Sequence, residues 1–300
     1  MKRISGFRFK SLIMSIPVMS FFFCTAVWSQ NNSGNMSLTG PVSLKYNYPG
    51  SKSVKYLNTS KMVQTMDING QSMNVNVNGS FGCTIKASGF QGQNLKLDVV
   101  VDTLAQSTES PMGLSGGPVT DVNGKSFSVI IAPDGHSIDF TEAEKIVYNI
   151  EGSGESNLTT TFNDFFPVLP ANPVKTGDTW TTVDTLKTNT KAMTGTNVVN
   201  AVNTLDSLYI FDGVEWARIR SKLTGTQKVT VQNQGMEIKM SGPYEGNSVV
   251  QFAVKQGYFV KQNVNTKLTG NIEMSQPDVV TFPIVMTMTS TSEMLNEVQK

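Results

Sequence analysis

Apolar and polar residues alternate one for one along much of this chain, the two-residue period of a strand with one buried face. Val42, Leu44, Tyr46 and Tyr48 alternate with Ser43, Lys45 and Asn47. Met62, Gln64, Met66 and Ile68 lead into Asn69-Gly70, and Met73, Val75 and Val77 leave it. Asn-Gly between two such runs predicts a tight hairpin, because both residues tolerate the positive φ of the turn. Leu95 to Val101 follows, then Phe127, Val129 and Ile131, with Ile138 and Phe140 returning after a turn at Pro133-Asp134-Gly135. The second half reads as short strands at 198–205, 207–211, 214–223, 228–231, 236–240, 249–254, 257–264 and 282–288. Turns fall between them at Asp212-Gly213 and Asn233-Gln234-Gly235. Short strands with frequent turns predict a mainly β fold of large curved antiparallel sheets, half-barrel-like, with one or two short helices.

Three stretches break the alternation. Residues 106–118, rich in Ser, Gly and Pro, read as a loop. Thr141 to Tyr148 predicts a short helix, with Thr141 as its cap and Glu142 and Glu144 in the first turn. Asn157 to Phe166 offers a second helix, weakened by Thr159-Thr160-Thr161. Between the halves, Phe165 to Trp180 contains Pro167, Pro170 and Pro173, which withhold backbone donors and predict an extended connector. Its apolar residues predict that it lies pinned across a core. Pro170, Pro173, Gly177, Asp178 and Trp180 are its structural residues, with Gly177-Asp178 turning the chain into Trp180. The expected organisation is a signal at 1–29, a disordered leader at 30–41, an N-terminal β half at 42–164, the connector at 165–180 and a C-terminal β half at 181–292. Residues 69–79 and 233–242 resemble one another, as hairpin chemistry or duplication would each produce.

Charge and cysteine content narrow the class. Lys2, Arg3, Arg8 and Lys10 precede an uncharged apolar run from Leu12 to Trp28, with Val27 and Ser29 as small residues for cleavage before Gln30. This predicts a secretion signal and an exported product, periplasmic or at the cell surface, with no integral membrane segment in the mature chain. Without those residues the chain holds 20 basic against 23 acidic side chains, a net of −3, which argues against a nucleic-acid footprint. About 270 residues remain, enough for one large domain or two halves sharing a core. Cys83 is then the single thiol, in a strand-like context, so no internal disulfide forms and packing must supply the stability.

Catalytic chemistry is sparse. One histidine, His136, and one cysteine cannot assemble a Cys/His zinc site, and no cofactor motif is present. His136 is expected as a solvated residue at a hairpin exit. Gly113-Leu114-Ser115-Gly116-Gly117 matches G-x-S-x-G, but a nucleophile elbow needs a strand before it and a helix after it, and prolines flank this one. No catalytic residue is assigned. Methionine is the unusual component, 15 in all. Flexible, polarizable side chains at alternate strand positions suit an adaptable apolar lining, here Met62, Met66, Met73, Val75, Met236, Ile238, Met240 and Phe252. Ordinary core packing explains the same pattern.

Residues 166–180 resemble the Leu-Pro-x-x-Pro-Val-x-x-Gly-Asp-x-Trp signature of uncharacterised exported proteins common in Bacteroidota. The 124–135 and 250–257 segments are similar to that group as well. The family has no assigned activity; its long curved sheet is more distantly similar to the half-barrel of lipoprotein carriers of the LolA/LppX type. Asp102-Thr103-Leu104, Asp184-Thr185-Leu186 and Asp206-Ser207-Leu208 resemble the O-glycan acceptor pattern of such exported proteins. The expected function is non-catalytic: an exported protein holding an apolar ligand, lipid or lipidated partner in a concave sheet face. The alternatives are an envelope structural or interaction protein with a filled core and, last, a hydrolase.

Overall fold

A computed structural model describes residues 36–37, 40–50, 52–68, 70–111, 113–151, 154–191, 193–233, 236–275 and 279–299. The stretch expected to be a secretion signal, most of the expected leader, and the turn residues Asn69, Gln234 and Gly235 lie outside the described residues. The first half comprises β1 (Met36–Ser37), β2 (Lys52–Ile68), β3 (Gln71–Gln91), β4 (Asn94–Ser110), β5 (Gly113–Pro118), β6 (Ser126–Ile131) and β7 (Ser137–Asp139). Then come α1 (Thr141–Glu144), β8 (Val147–Ile150), β9 (Gly154–Asn157) and α2 (Thr159–Phe162). The second half comprises β10 (Thr179–Asn189), β11 (Met193–Phe211), β12 (Val214–Asn233), β13 (Met236–Ala253), β14 (Tyr258–Met274) and β15 (Val280–Gln299).

Thirteen strands form one antiparallel sheet, in the order β1-β11-β12-β13-β14-β15-β2-β3-β4-β6-β7, with β10 also on β11 and β5 on β4. The joint between the halves is β15 against β2, running from Ile284↔Met66 to Gln299↔Lys52. Both halves therefore share one continuous sheet, which is half-barrel-like: its outer strands do not pair with each other. Among the described residues no helix is long and apolar enough to cross a membrane.

The strands are far longer than the alternation suggested, 17 residues in β2 and 21 in β3. At about 3.3 Å per residue, 17 residues span about 55 Å. Segments read as separate strands, 198–205 with 207–211 and 214–223 with 228–231, are single strands β11 and β12. Glycine explains part of the misreading. Within the strands it absorbs curvature instead of ending them. A Cβ on Gly242 would come 2.7 Å from the Cα of Gly270 on the neighbouring strand, and one on Gly246 would come 2.8 Å from the Thr266 methyl. The sheet coils tightly at these points.

Residues 106–118 correct the loop expectation. They continue β4, turn, and return as β5, with Gln106↔Gly117 and Thr108↔Ser115 in register. Both helices shrink to one turn of four residues. Val147 to Ile150 is a strand, and Thr141 does not cap α1; its N–H and hydroxyl both donate to Asp139. Conversely, residues 42–48 keep their alternation without joining the sheet. Leu44, Tyr46 and Tyr48 are buried, and the segment is a strap, bridged at Val42↔Val174 and bonded through Tyr46 N–H to Pro133 O and Asn47 N–H to Gly257 O.

One end of the concave face is filled by an apolar cap. The connector, α1, α2 and the strap pack there against β2–β4, β6 and the ends of β11–β14. Phe162 stacks on Phe165 at 4.5 Å and meets Phe127, Phe140 and Phe81 edge-on at 5.3, 5.8 and 6.1 Å. Aromatic pairs in such geometries contribute beyond their buried area, about 0.5–1.5 kcal/mol each. Tyr46 and Tyr56 pass their hydroxyls to Pro167 O and Phe259 O, so neither burial leaves a donor unmade.

Candidate functional site

The sheet rolls so that alternate residues of every long strand face one interior, and reading across the register shows a polar belt halfway along. Trp180 of β10 stands opposite Asn203 of β11, Asn203 opposite Ser221, and Ser221 opposite Ser248. The row continues through Val264 to Ser290, then Ser60, Gly79 and Gln106. Nine strands thus contribute one inward residue each, eight of them polar-tipped or glycine. Four are serines.

On the cap side the next row is mixed: Asn58 opposes Phe81 and Ser292, followed by Gln262, Val250, Ile219 and Leu205. Beyond the belt on the other side the interior turns to methionine. Met62 opposes Met288, Gln64 opposes Met286 and Met66 opposes Ile284. The belt thus lies between the aromatic cap and the methionine rows. Inward Ser60 at the belt, and Thr182, Asp184, Gly246 and Thr266 in the methionine rows beyond it, keep intermediate exposure, so water reaches both levels.

Four atoms of the belt and of the row beside it are enclosed without a partner: Asn203 Nδ2, Trp180 Nε1 and Ser290 Oγ in the belt, and Asn58 Oδ1 next to it. Asn58 is 3% exposed, Asn203 5% and Ser290 1%. The two amides use their other atoms: Asn58 Nδ2 donates to Ser292 at 2.7 Å, and Asn203 Oδ1 accepts from Ser221 Oγ at 2.6 Å. A buried polar atom with no partner costs about 1–3 kcal/mol, so these four ask for a ligand or water.

Asp164 faces the interior from the segment after α2. Its Oδ2 is enclosed and unpartnered, and burial pushes the carboxyl up to about 7, against a weaker pull from its own backbone N–H. The Tyr244 phenol is raised as well, first by burial and also by the Asp164 charge, with the Asn197 side chain opposing. The Tyr244 hydroxyl donates to Val198 O at 3.2 Å.

The predicted apolar lining divides. Met62, Met66, Val75, Ile238 and Met240 meet in one buried cluster, with Met73 packed against it. Phe252 does not join them: it lies in the cap, edge-on to Tyr46 at 5.5 Å. The side chain of Met236 lies outside the described residues. In the connector, Pro170 is buried and Pro173 exposed. Gly177 takes φ +93° and donates to Leu205 O, and the Asp178 carboxylate accepts the Lys175 N–H at 3.0 Å. Trp180 opens β10 and supplies the belt's indole.

His136 is not simply solvated. Its Nδ1 lies 3.1 Å from Asp134 and its Nε2 3.5 Å from Asp184 on β10, so the β6–β7 turn reaches the opposite sheet edge. Ser115 sits inside β5, opposite Thr108, and a 3₁₀ turn at Thr120–Val122 follows instead of the helix an elbow requires. Cys83 is wholly buried, and desolvation pushes its thiol up. Thr103 and Thr185 of the glycan-like triplets are exposed. A separate cleft of about 690 Å³ at the cap-side rim is lined by residues including Tyr48, Lys52, Phe90, Lys255 and Gln256.

The belt escaped sequence reading, though its trace is visible. The apolar alternation breaks at Asn58-Thr59-Ser60 in β2 and at Ser290-Thr291-Ser292 in β15. Those interruptions look like strand ends until register aligns them.

No family model matches the chain, nor does any curated protein. Among solved structures, DynF from the dynemicin biosynthesis pathway of Micromonospora chersina is similar at 7% identity and a TM-score of 0.25, over 91% of this chain and 96% of that one. Pseudomonas aeruginosa OccK5 (OpdH) is similar at 9% identity and a TM-score of 0.26, over 81% and 98%.

Proposed function

We propose that this is an exported, non-catalytic binding protein whose rolled sheet holds an amphipathic small molecule or the lipid of a lipidated partner. The polar part would sit at the belt and the apolar part among the methionines. The observation supporting this most is the row of small inward residues with unpartnered polar atoms, bordered on one side by Met62, Met66, Met286 and Met288. Methionine re-packs around an incoming chain at low cost because its thioether arm is unbranched. Native mass spectrometry of gently extracted protein tests the reading. A co-purifying lipid-sized mass is expected. A clean unliganded species that also takes up no fluorescent acyl probe would sink it.

A second reading is an envelope structural or interaction protein with a filled interior. The burial of Met62 at 2% and Met288 at 4% exposure favours it. The same spectra discriminate, because a filled interior offers nothing for a lipid to displace.

A further inference from the structure

We infer that the interior at the belt takes a neutral, hydroxyl-bearing head group, such as that of an acylglycerol or a sugar lipid, and turns away anionic ones. This rests on the binding reading above and sharpens its chemistry.

The unpartnered atoms are of both kinds. Asn58 Oδ1 needs a donor, Asn203 Nδ2 and Trp180 Nε1 need acceptors, and the Ser290 hydroxyl serves either way. A hydroxyl also donates and accepts, so a polyol matches the mixture. A carboxylate or phosphate only accepts and would leave Asn58 Oδ1 facing negative charge. An ammonium only donates and would leave Asn203 and Trp180 unmade.

Charge points the same way. Asp164 lies enclosed in the segment after α2, and Asp184 stands on β10 in the Gln64 and Met286 row, where its carboxylate meets the His136 imidazole. Among the described residues no lysine or arginine occupies an inward position between the Asn58 and Met66 rows. Lys61, Arg220, Lys222 and Lys267 take the outward alternates there and are exposed. An anion entering would lose its water with no lysine or arginine to answer it, and above about pH 7 it would also meet the Asp164 carboxylate.

The test uses the full purified chain, titrated with monolauroylglycerol, laurate and dodecylamine below their micellar concentrations and followed by tryptophan emission. Monolauroylglycerol should saturate, with laurate and the amine at least about tenfold weaker. Asn203→Ala should weaken the glyceride about tenfold and leave laurate unmoved, whereas Asp164→Asn, compared at about pH 8 where the carboxyl is ionised, should strengthen laurate. Laurate or the amine binding as tightly as the glyceride to the unmodified chain would overturn the head-group assignment while leaving acyl binding intact. Should none of the three bind, with ordered water alone on Asn58, Asn203 and Ser290 in a crystal structure, both the assignment and the binding reading fail.

Discussion

The ring of Tyr244 on β13 lies over Gly225 on β12, its register partner. A Cβ at Gly225 would come 2.6 Å from two of the ring carbons and would also strike the Val198 carbonyl oxygen. The aromatic ring covers the glycine and the glycine admits the tight coil, so each residue requires the other.

Gly225→Ala should therefore destabilise the fold by about 1–3 kcal/mol, the usual cost of overpacking. Urea denaturation reads it. In a double-mutant cycle, Gly225→Ala combined with Tyr244→Ala should cost clearly less than the two single losses added. Additive losses would show that ring and glycine do not bear on one another.

Stability should fall as pH rises through the window set by Asp164. Its folded-state value of about 7 stands above the ordinary 3.8, so the folded chain keeps a proton that the unfolded chain releases in between. The expected result is a higher Tm at about pH 5 than at about pH 8, with at most about 4 kcal/mol at stake and less where water reaches the carboxyl. Asp164→Asn should remove this component of the profile. Identical profiles for the two proteins would refute the assignment.

Two glycines clamp the strap. A Cβ on Gly257, at φ +70°, would come 2.5 Å from the Asn47 nitrogen, and one on Gly135, at φ +95°, 2.6 Å from the Tyr46 ring. Either alanine substitution should lower Tm and speed proteolysis within residues 41–49, ahead of the sheet. Cleavage in the sheet first would mean the strap is not the weak element.

Met288→Ala should cost about 2–5 kcal/mol, because its side chain is buried among Met62 and its neighbours. Chemical denaturation measures it. A cost near zero would mean that the methionine end is loosely filled. Cys83 should resist a thiol reagent in the native protein and react at once in urea, since burial disfavours its thiolate.

Particular residues show how far the sequence reached. The alternation of Met62, Gln64 and Met66 announced a strand and its buried face, because side-chain period is a property of the local backbone. Pro167, Pro170 and Pro173 announced an extended connector for the same local reason. Phe252 was misplaced: alternation says that a residue faces inward but not toward which end of a strand more than 50 Å long. Ser290 fell just past the strand expected at 282–288, Asn203 passed unnoticed within the one at 198–205, and Asp184 had no visible relation to His136.

By itself, then, the chain determined a mainly β protein with apolar inward faces, a pinned connector and few reactive groups, all read from composition and short-range period. The length of the strands, the β15–β2 joint, the meeting of His136 with Asp184 and the polar belt were decided only by tertiary structure. Register is a relation between residues far apart in sequence, set by the packing of whole faces, and a one-residue slip would turn every one of those side chains outward.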